Sequence, residues 1–138
     1  ARSKGNGVIL VQADAELGDI IRDKGDVKGA EKMLMGAGQL ALQYDIKDHP
    51  VLARLALYQA LLMQDTTTSN DSISLEAIEL QFDRAEKLMI SEKGQHQLKA
   101  LIFFRKGQFY RSHFKTIKAD LYFGKAILEN EKIDDKII

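Results

Sequence analysis

Three histidines, His49, His96 and His113, are the side chains best suited to proton transfer near neutral pH or to metal ligation. Ligation from one helix needs two of them four residues apart, as in His-Glu-x-x-His, and no such pair occurs. Each therefore reads as a surface or capping histidine. Gly-x-Gly occurs twice, as Gly5-Asn6-Gly7 near the terminus and as Gly36-Ala37-Gly38 inside a helical pattern. Neither follows a strand, so neither can cradle a pyrophosphate on a strand-to-helix turn. A GxxxxGK[ST] loop is absent, and a chain without cysteine has no thiolate chemistry. The acidic pair Asp134-Asp135 lies in a polar tail and reads as solvated. The expectation is a protein that is not an enzyme, with no catalytic residue, no metal and no cofactor.

Behind these scattered polar residues is a chain of 138 residues, a length that suggests one domain, with 45% hydrophobic residues to build its core. Twenty basic residues balance twenty acidic ones. That balance gives no reason to expect nucleic acid or an anionic membrane as a direct partner. Arg105, Lys106, Arg111 and Lys115 fall close together, but Glu129 and Glu131 offset them. Val51 to Met63 is the longest apolar stretch, and it is interrupted by Arg54 and Gln59, short of the ~18 residues a membrane span needs. Val8 to Val11 is too short for the core of a signal peptide. The lack of cysteine fits a reducing compartment, so a cytoplasmic location is expected. Because the first residue is Ala1 rather than Met, a processed product or a fragment of a longer protein is also expected.

One proline, no tryptophan and recurrent helical spacing of apolar residues predict an all-α fold. Six helices are expected, over about 7–24, 27–44, 49–64, 74–92, 95–113 and 116–131. In the first, Ile9, Ala13, Leu17 and Ile20/Ile21 form one apolar stripe. Gly25 suits a left-handed position after that helix, and Asp26 can cap the next. In the second, Ala30, Leu34, Ala37 and Ala41 share a face. Gly29, Gly36 and Gly38 there suggest either close packing against a neighbour or a helix that bends or frays. Asp48 reads as the cap of the third helix, with Pro50 in its first turn. That third helix is apolar on more than one side and should be central. Asp65 to Ser74 is polar and aperiodic and reads as a loop. Ile78, Phe82, Ala85 and Met89 mark the buried face of the fourth helix.

The last two helices carry the most specific pattern. Phe103, Gly107 and Tyr110 share a face of one; Ala119, Phe123 and Ala126 share a face of the other. This resembles the tetratricopeptide repeat (TPR) family, whose unit is two antiparallel helices recurring every ~34 residues. The first pair fits with Leu17, Gly18, Ile21, Ala30, Leu34 and Ala37. The middle pair fits less well, with Leu52, Leu55, Ala56, Ile78, Phe82 and Ala85, and has Gln59 where a large residue belongs. Lys106 stands where Leu is expected, Asp14 where a bulky residue is, and Glu131 where the closing proline is. Gly18 and Gly107 lie 89 residues apart in sequence, where two ideal periods need about 68.

The resemblance implies three antiparallel hairpins, about 7–44, 48–92 and 95–131, stacked as one TPR-like superhelix; the alternative is a six-helix bundle. It implies a concave groove that receives a peptide or a partner helix. Carried over residue by residue, the groove positions are Gln12, Asp19, Arg22, Leu57, Leu61, Leu101, Phe104, Gln108 and Arg111, with Ala53 and Ala60 beside them and Asp23 at the first hairpin. Leu57, Leu61, Leu101 and Phe104 would form an apolar floor, with Arg22 and Arg111 at the rim for a carboxylate. Burial of Leu57 and Leu61 by their own neighbours is the competing reading. The expected role is a protein-interaction module. Two alternatives are a regulatory or sensor domain of a larger bacterial regulator or signalling protein, and a self-associating scaffold or secretion chaperone that dimerises through the last hairpin.

Overall fold

The computed structural model describes residues 3–66, 72–90 and 92–134, without the side chains of 72–74 and 134. It contains six α-helices and, among the described residues, no strand: α1 (Lys4–Asp23), α2 (Val27–Gln43), α3 (Pro50–Thr66), α4 (Ser72–Met89), α5 (His96–Ser112) and α6 (Thr116–Asp134). No helix among those residues is long and apolar enough to cross a membrane. The chain divides into two compact units, Ala1–Leu88 and Met89–Ile138.

The helix ends follow local chemistry. Gly25 takes the left-handed conformation (φ 89°), its N–H donates to the Arg22 carbonyl, and the Asp26 N–H reaches back to Ile21. These two bonds satisfy carbonyls left orphaned at the end of α1. The Asp26 carboxylate then accepts from the Gly29 N–H at 3.0 Å and caps α2. The same double bond closes α2 at Asp45 (φ 55°) and α5 at Phe114 (φ 61°). At α3 the cap is His49, not Asp48: with Pro50 as the first helical residue, the Val51 N–H donates to His49 Nδ1 at 3.0 Å. The expected loop is shorter than its polar composition suggests, because Asp65 and Thr66 complete α3 and the backbone of α4 starts at Ser72; its remainder, 67–71, lies outside the described residues.

In the first unit α1, α2 and α3 pack mutually, and α3 is central as its apolar surround predicts. The Gln81 amide of α4 donates to Gln59 Oε1 at 2.9 Å, so the polar residue at 59 meets a polar partner rather than an apolar one. Ala30, Leu34, Ala37 and Ala41 of α2 are buried, as are Ile78, Phe82 and Ala85 of α4; Met89, the first residue of the second unit, is also buried. The stripe predicted for α1 is not the buried one. Ile9 (65% exposed), Leu17 (45%) and Ile20 (51%) face outward with Ala13, and α1 instead buries Gly7, Val11, Ala15 and Gly18. The reason is backbone approach. A Cβ on Gly18 would come within 2.7 Å of Leu34, and a Cβ on Gly7 would strike Tyr44, so the small face of α1 admits α2. Gly36 and Gly38 do not serve such a contact, since nothing lies within 4 Å of a Cβ there, and α2 continues past both.

The second unit is an α5–α6 hairpin filled with aromatic rings. Gly107 abuts Phe123, whose ring carbons would lie 2.8 Å from an added Cβ. Tyr122 packs between Phe103 and Tyr110, at centroid distances of 6.1 and 5.6 Å. Lys106 is buried and donates to the Tyr122 hydroxyl at 3.0 Å. That bond explains how a lysine occupies a position where the pattern calls for leucine. Ala119, Ala126 and Tyr110 are buried as expected.

Candidate functional site

Helical steps of four and three place Phe104, Gln108 and Arg111 in one row on α5. Their counterparts on α6 are Phe123, Ala126, Ile127 and Asn130. Together the two rows line a depression of about 430 Å³ within the second unit. The Phe104 and Phe123 rings meet at 5.9 Å with a 50° tilt and make the apolar floor. The Arg111 guanidinium carbon stands 5.8 Å from the Phe123 ring centroid, within the range of a cation–π contact. Arg111 is exposed and makes no ion pair among the described residues. Gln108 accepts a long hydrogen bond from Arg105 (3.4 Å). The arrangement offers an apolar slot, an amide and an exposed cation. It holds nothing that could activate a nucleophile.

Of the nine groove positions, three come together there: Phe104, Gln108 and Arg111. Leu101 is half-buried and does not line the depression. Leu57 is 0% exposed and Leu61 7%, so these two belong to the core and present no surface to a partner, which corrects the predicted floor. Gln12 is exposed on α1. Arg22 is not a free rim cation. Its guanidinium donates to Asp19 at 3.0 and 3.1 Å and to Asp65 at 2.8 Å, tying α1 to the end of α3. Burial works against its charge, but the two carboxylates outweigh burial and hold its pKa above the ordinary arginine value. Asp19 is engaged by the same contact. The α6 contributors Ile127 and Asn130 are absent from the predicted set; the signal for them is their spacing of four and seven residues from Phe123, itself read as core.

Two polar clusters lie outside the depression. On the first unit the Tyr58 hydroxyl donates to Glu16 at 2.9 Å, and Arg54 reaches Glu16 and the Tyr58 oxygen at 3.2 Å each. Burial, and then the Glu16 carboxylate, raise the Tyr58 pKa against the opposing pull of Arg54. On the second, His96 Nδ1 lies 2.7 Å from Glu129, which also accepts from Lys132 at 3.3 Å. Burial would raise the Glu129 pKa, yet the His96 and Lys132 contacts prevail and lower it. His113 rests edge-on against Phe109 at 4.9 Å. The three histidines thus act as a cap, a hydrogen-bond partner of a carboxylate and a packing ring. Among the described residues no three His, Asp or Glu side chains converge as a metal centre would require. Comparison with known proteins finds no match among family models, curated proteins or solved structures.

Proposed function

We propose that this chain is a divergent TPR-like helical-repeat module, without enzymatic activity, that binds a peptide or partner helix through the hollow between α5 and α6. The single observation that carries the reading is the state of Arg111. An exposed guanidinium poised over an aromatic ring, at the edge of an apolar hollow and without a carboxylate of its own, suits a ligand that brings one. Phe104 and Ile127, both exposed, would cover an apolar side chain of that ligand. Two further features support the resemblance: Gly18 against Leu34 and Gly107 against Phe123 occupy equivalent places in the first and last hairpins. A cytoplasmic setting accords with the cysteine-free sequence.

Selection from a displayed random-peptide library tests the reading. Enriched peptides should share an acidic residue or free C-terminus beside a bulky apolar residue. Arg111→Ala and Phe104→Ala should each weaken the selected peptides at least about tenfold, the order expected for a lost charged or apolar anchor, while the helical circular dichroism stays unchanged. Failure to enrich any peptide, or equal binding by both variants, refutes the site.

A further inference from the structure

The turn between α5 and α6 carries two large apolar side chains that the chain leaves bare. Phe114 is 92% exposed and Ile117 88%. Backbone bonds hold the turn: the Phe114 N–H donates to the Arg111 carbonyl at 3.1 Å, and the Lys115 N–H to the Tyr110 carbonyl at 2.9 Å. Phe114 is left-handed there (φ 61°), a conformation that glycine adopts freely and that Gly25 adopts in the equivalent turn after α1. A bulky ring therefore sits where its own backbone disfavours it, and it gains almost no packing in return. Strain of this kind points to a role outside the fold.

Positive charge gathers at the same end of the hairpin. From Arg105 to Ala119 the sequence has five lysines and arginines and no acidic residue. Lys106 is buried against Tyr122, but Arg111, Lys115 and Lys118 are exposed. Lys115 and Lys118 line one shallow recess of about 410 Å³ with Phe114, Thr116 and Ile117. Lys118 stands 5.3 Å from the centroid of the Tyr110 ring, and the Lys115 ammonium has no carboxylate partner among the described residues. Glu129, which by sequence offsets this charge, lies at the other end of the hairpin, 2.7 Å from His96 Nδ1. Thirteen residues of helix separate it from Thr116, about 20 Å at 1.5 Å per residue. That is twice the Debye length of about 8–10 Å at physiological salt. Glu131 is further along α6 still, and Asp120 is the one acidic residue of the hairpin close to the turn. Overall neutrality hides a hairpin that is basic at its tip.

We propose that the α5–α6 turn is a peripheral anchor for an anionic lipid surface, with Phe114 and Ile117 entering the bilayer interface while Lys115 and Lys118 meet its phosphates. An exposed aromatic and an exposed aliphatic side chain supply apolar area to the interface, and each cation near an anionic leaflet adds about fivefold in affinity. Nucleic acid would engage the lysines but give Ile117 no apolar medium, so lipid is the occupant that uses all four side chains. Two apolar side chains and two lysines make the attachment reversible, and it needs no helix that crosses the bilayer. The proposal does not rest on the hollow, since neither Phe114 nor Ile117 lines it.

Flotation of the 138-residue chain with phosphatidylcholine vesicles, with and without phosphatidylglycerol, tests it. The chain should float with the anionic vesicles and at least about tenfold less with the neutral ones, and added salt should release it. Phe114→Ala should weaken binding at least about tenfold, the order expected for one large apolar side chain removed from water. Lys115→Ala should weaken it about fivefold. Leu42→Ala, at a comparably bare position on α2 (83% exposed), should bind as the unaltered chain does. Because the sequence has no tryptophan, Phe114→Trp reports on the tip alone. Its emission should shift to the blue on anionic vesicles and be quenched by brominated acyl chains. Circular dichroism verifies that every variant is folded. Equal flotation with neutral vesicles, equal binding by Phe114→Ala, or a Phe114→Trp emission that vesicles leave unmoved overturns the proposal. Capture by single-stranded RNA without capture by vesicles makes the turn a nucleic-acid site and overturns it as well.

Discussion

Phe114 should be a poor residue for stability at its position, and replacing it with glycine should strengthen the fold. The α5 helix ends with the same two backbone bonds as α1 and α2, and the residue after each cap is left-handed. At the end of α1 that residue is Gly25; at the end of α5 it is Phe114 at φ 61°, with 92% of its surface exposed. An L side chain in this conformation costs about 1–2 kcal/mol through the clash of Cβ with the carbonyl. Because the ring is almost wholly exposed, removing it loses little burial. Glycine gains freedom in the unfolded chain, which returns about 0.4–1 kcal/mol of the difference. The balance for Phe114→Gly is a stabilisation of about 0.5–1 kcal/mol, or a few degrees in melting temperature for a chain of this length. Phe114→Ala keeps the strained backbone and removes an exposed ring, so it should change stability by less than about 0.5 kcal/mol. Urea unfolding followed by circular dichroism reads both variants. A Phe114→Gly protein no more stable than Phe114→Ala refutes the reasoning about backbone strain.

Three other perturbations follow from the packing and the polar clusters. Gly107→Ala places a methyl group about 2.8 Å from the Phe123 ring and should destabilise despite its better helix propensity, whereas Gly36→Ala, with nothing within 4 Å, should stabilise by about 0.5–1 kcal/mol; like signs in denaturant unfolding would contradict the assigned hairpin contact. Tyr58→Phe removes the hydroxyl that donates to Glu16 and should cost about 1 kcal/mol in the same assay, a loss that Glu16→Gln should reproduce only in part. Glu129 has a lowered pKa in the folded protein, so its contribution is present above the ordinary carboxyl value of 4.5 and is lost as pH falls through the folded-state value. Unfolding curves between about pH 7 and pH 3 should therefore fall more steeply for the unaltered chain than for Glu129→Gln, and parallel curves would show that the His96 contact does not bias folding.

Helical spacing made the six elements readable to within a few residues, because a period near 3.6 is imposed by burial of one face. It could not say which face of α1 is buried. Gly7, Val11, Ala15 and Gly18 have the same spacing as Ile9, Ala13, Leu17 and Ile20, and hydrophobicity favours the second set. Close approach to Leu34 and Tyr44 selects the first. The turn chemistry at Gly25 and Asp26 was legible because few residues tolerate those roles. The His49 cap was not, since an imidazole acceptor is an uncommon cap and Asp48 is the conventional one. In the candidate site, Phe104, Gln108 and Arg111 could be placed in one row from sequence. Arg22 could not be removed from the set without coordinates, because its partner Asp65 lies 43 residues away in sequence. Leu57 and Leu61 look like a groove floor or like core equally well by spacing, and their burial decides between the two.

The central claim, that the α5–α6 hollow receives a carboxylate-bearing apolar peptide, is tested most directly by amide chemical-shift mapping of the isotope-labelled chain with a library-selected peptide. The account predicts that the largest shifts fall at Phe104, Gln108, Arg111, Phe123 and Ile127, and that Arg111→Gln abolishes them at the same peptide concentration. Shifts concentrated along Ile9 to Ile20 of α1, or unchanged in Arg111→Gln, would contradict it.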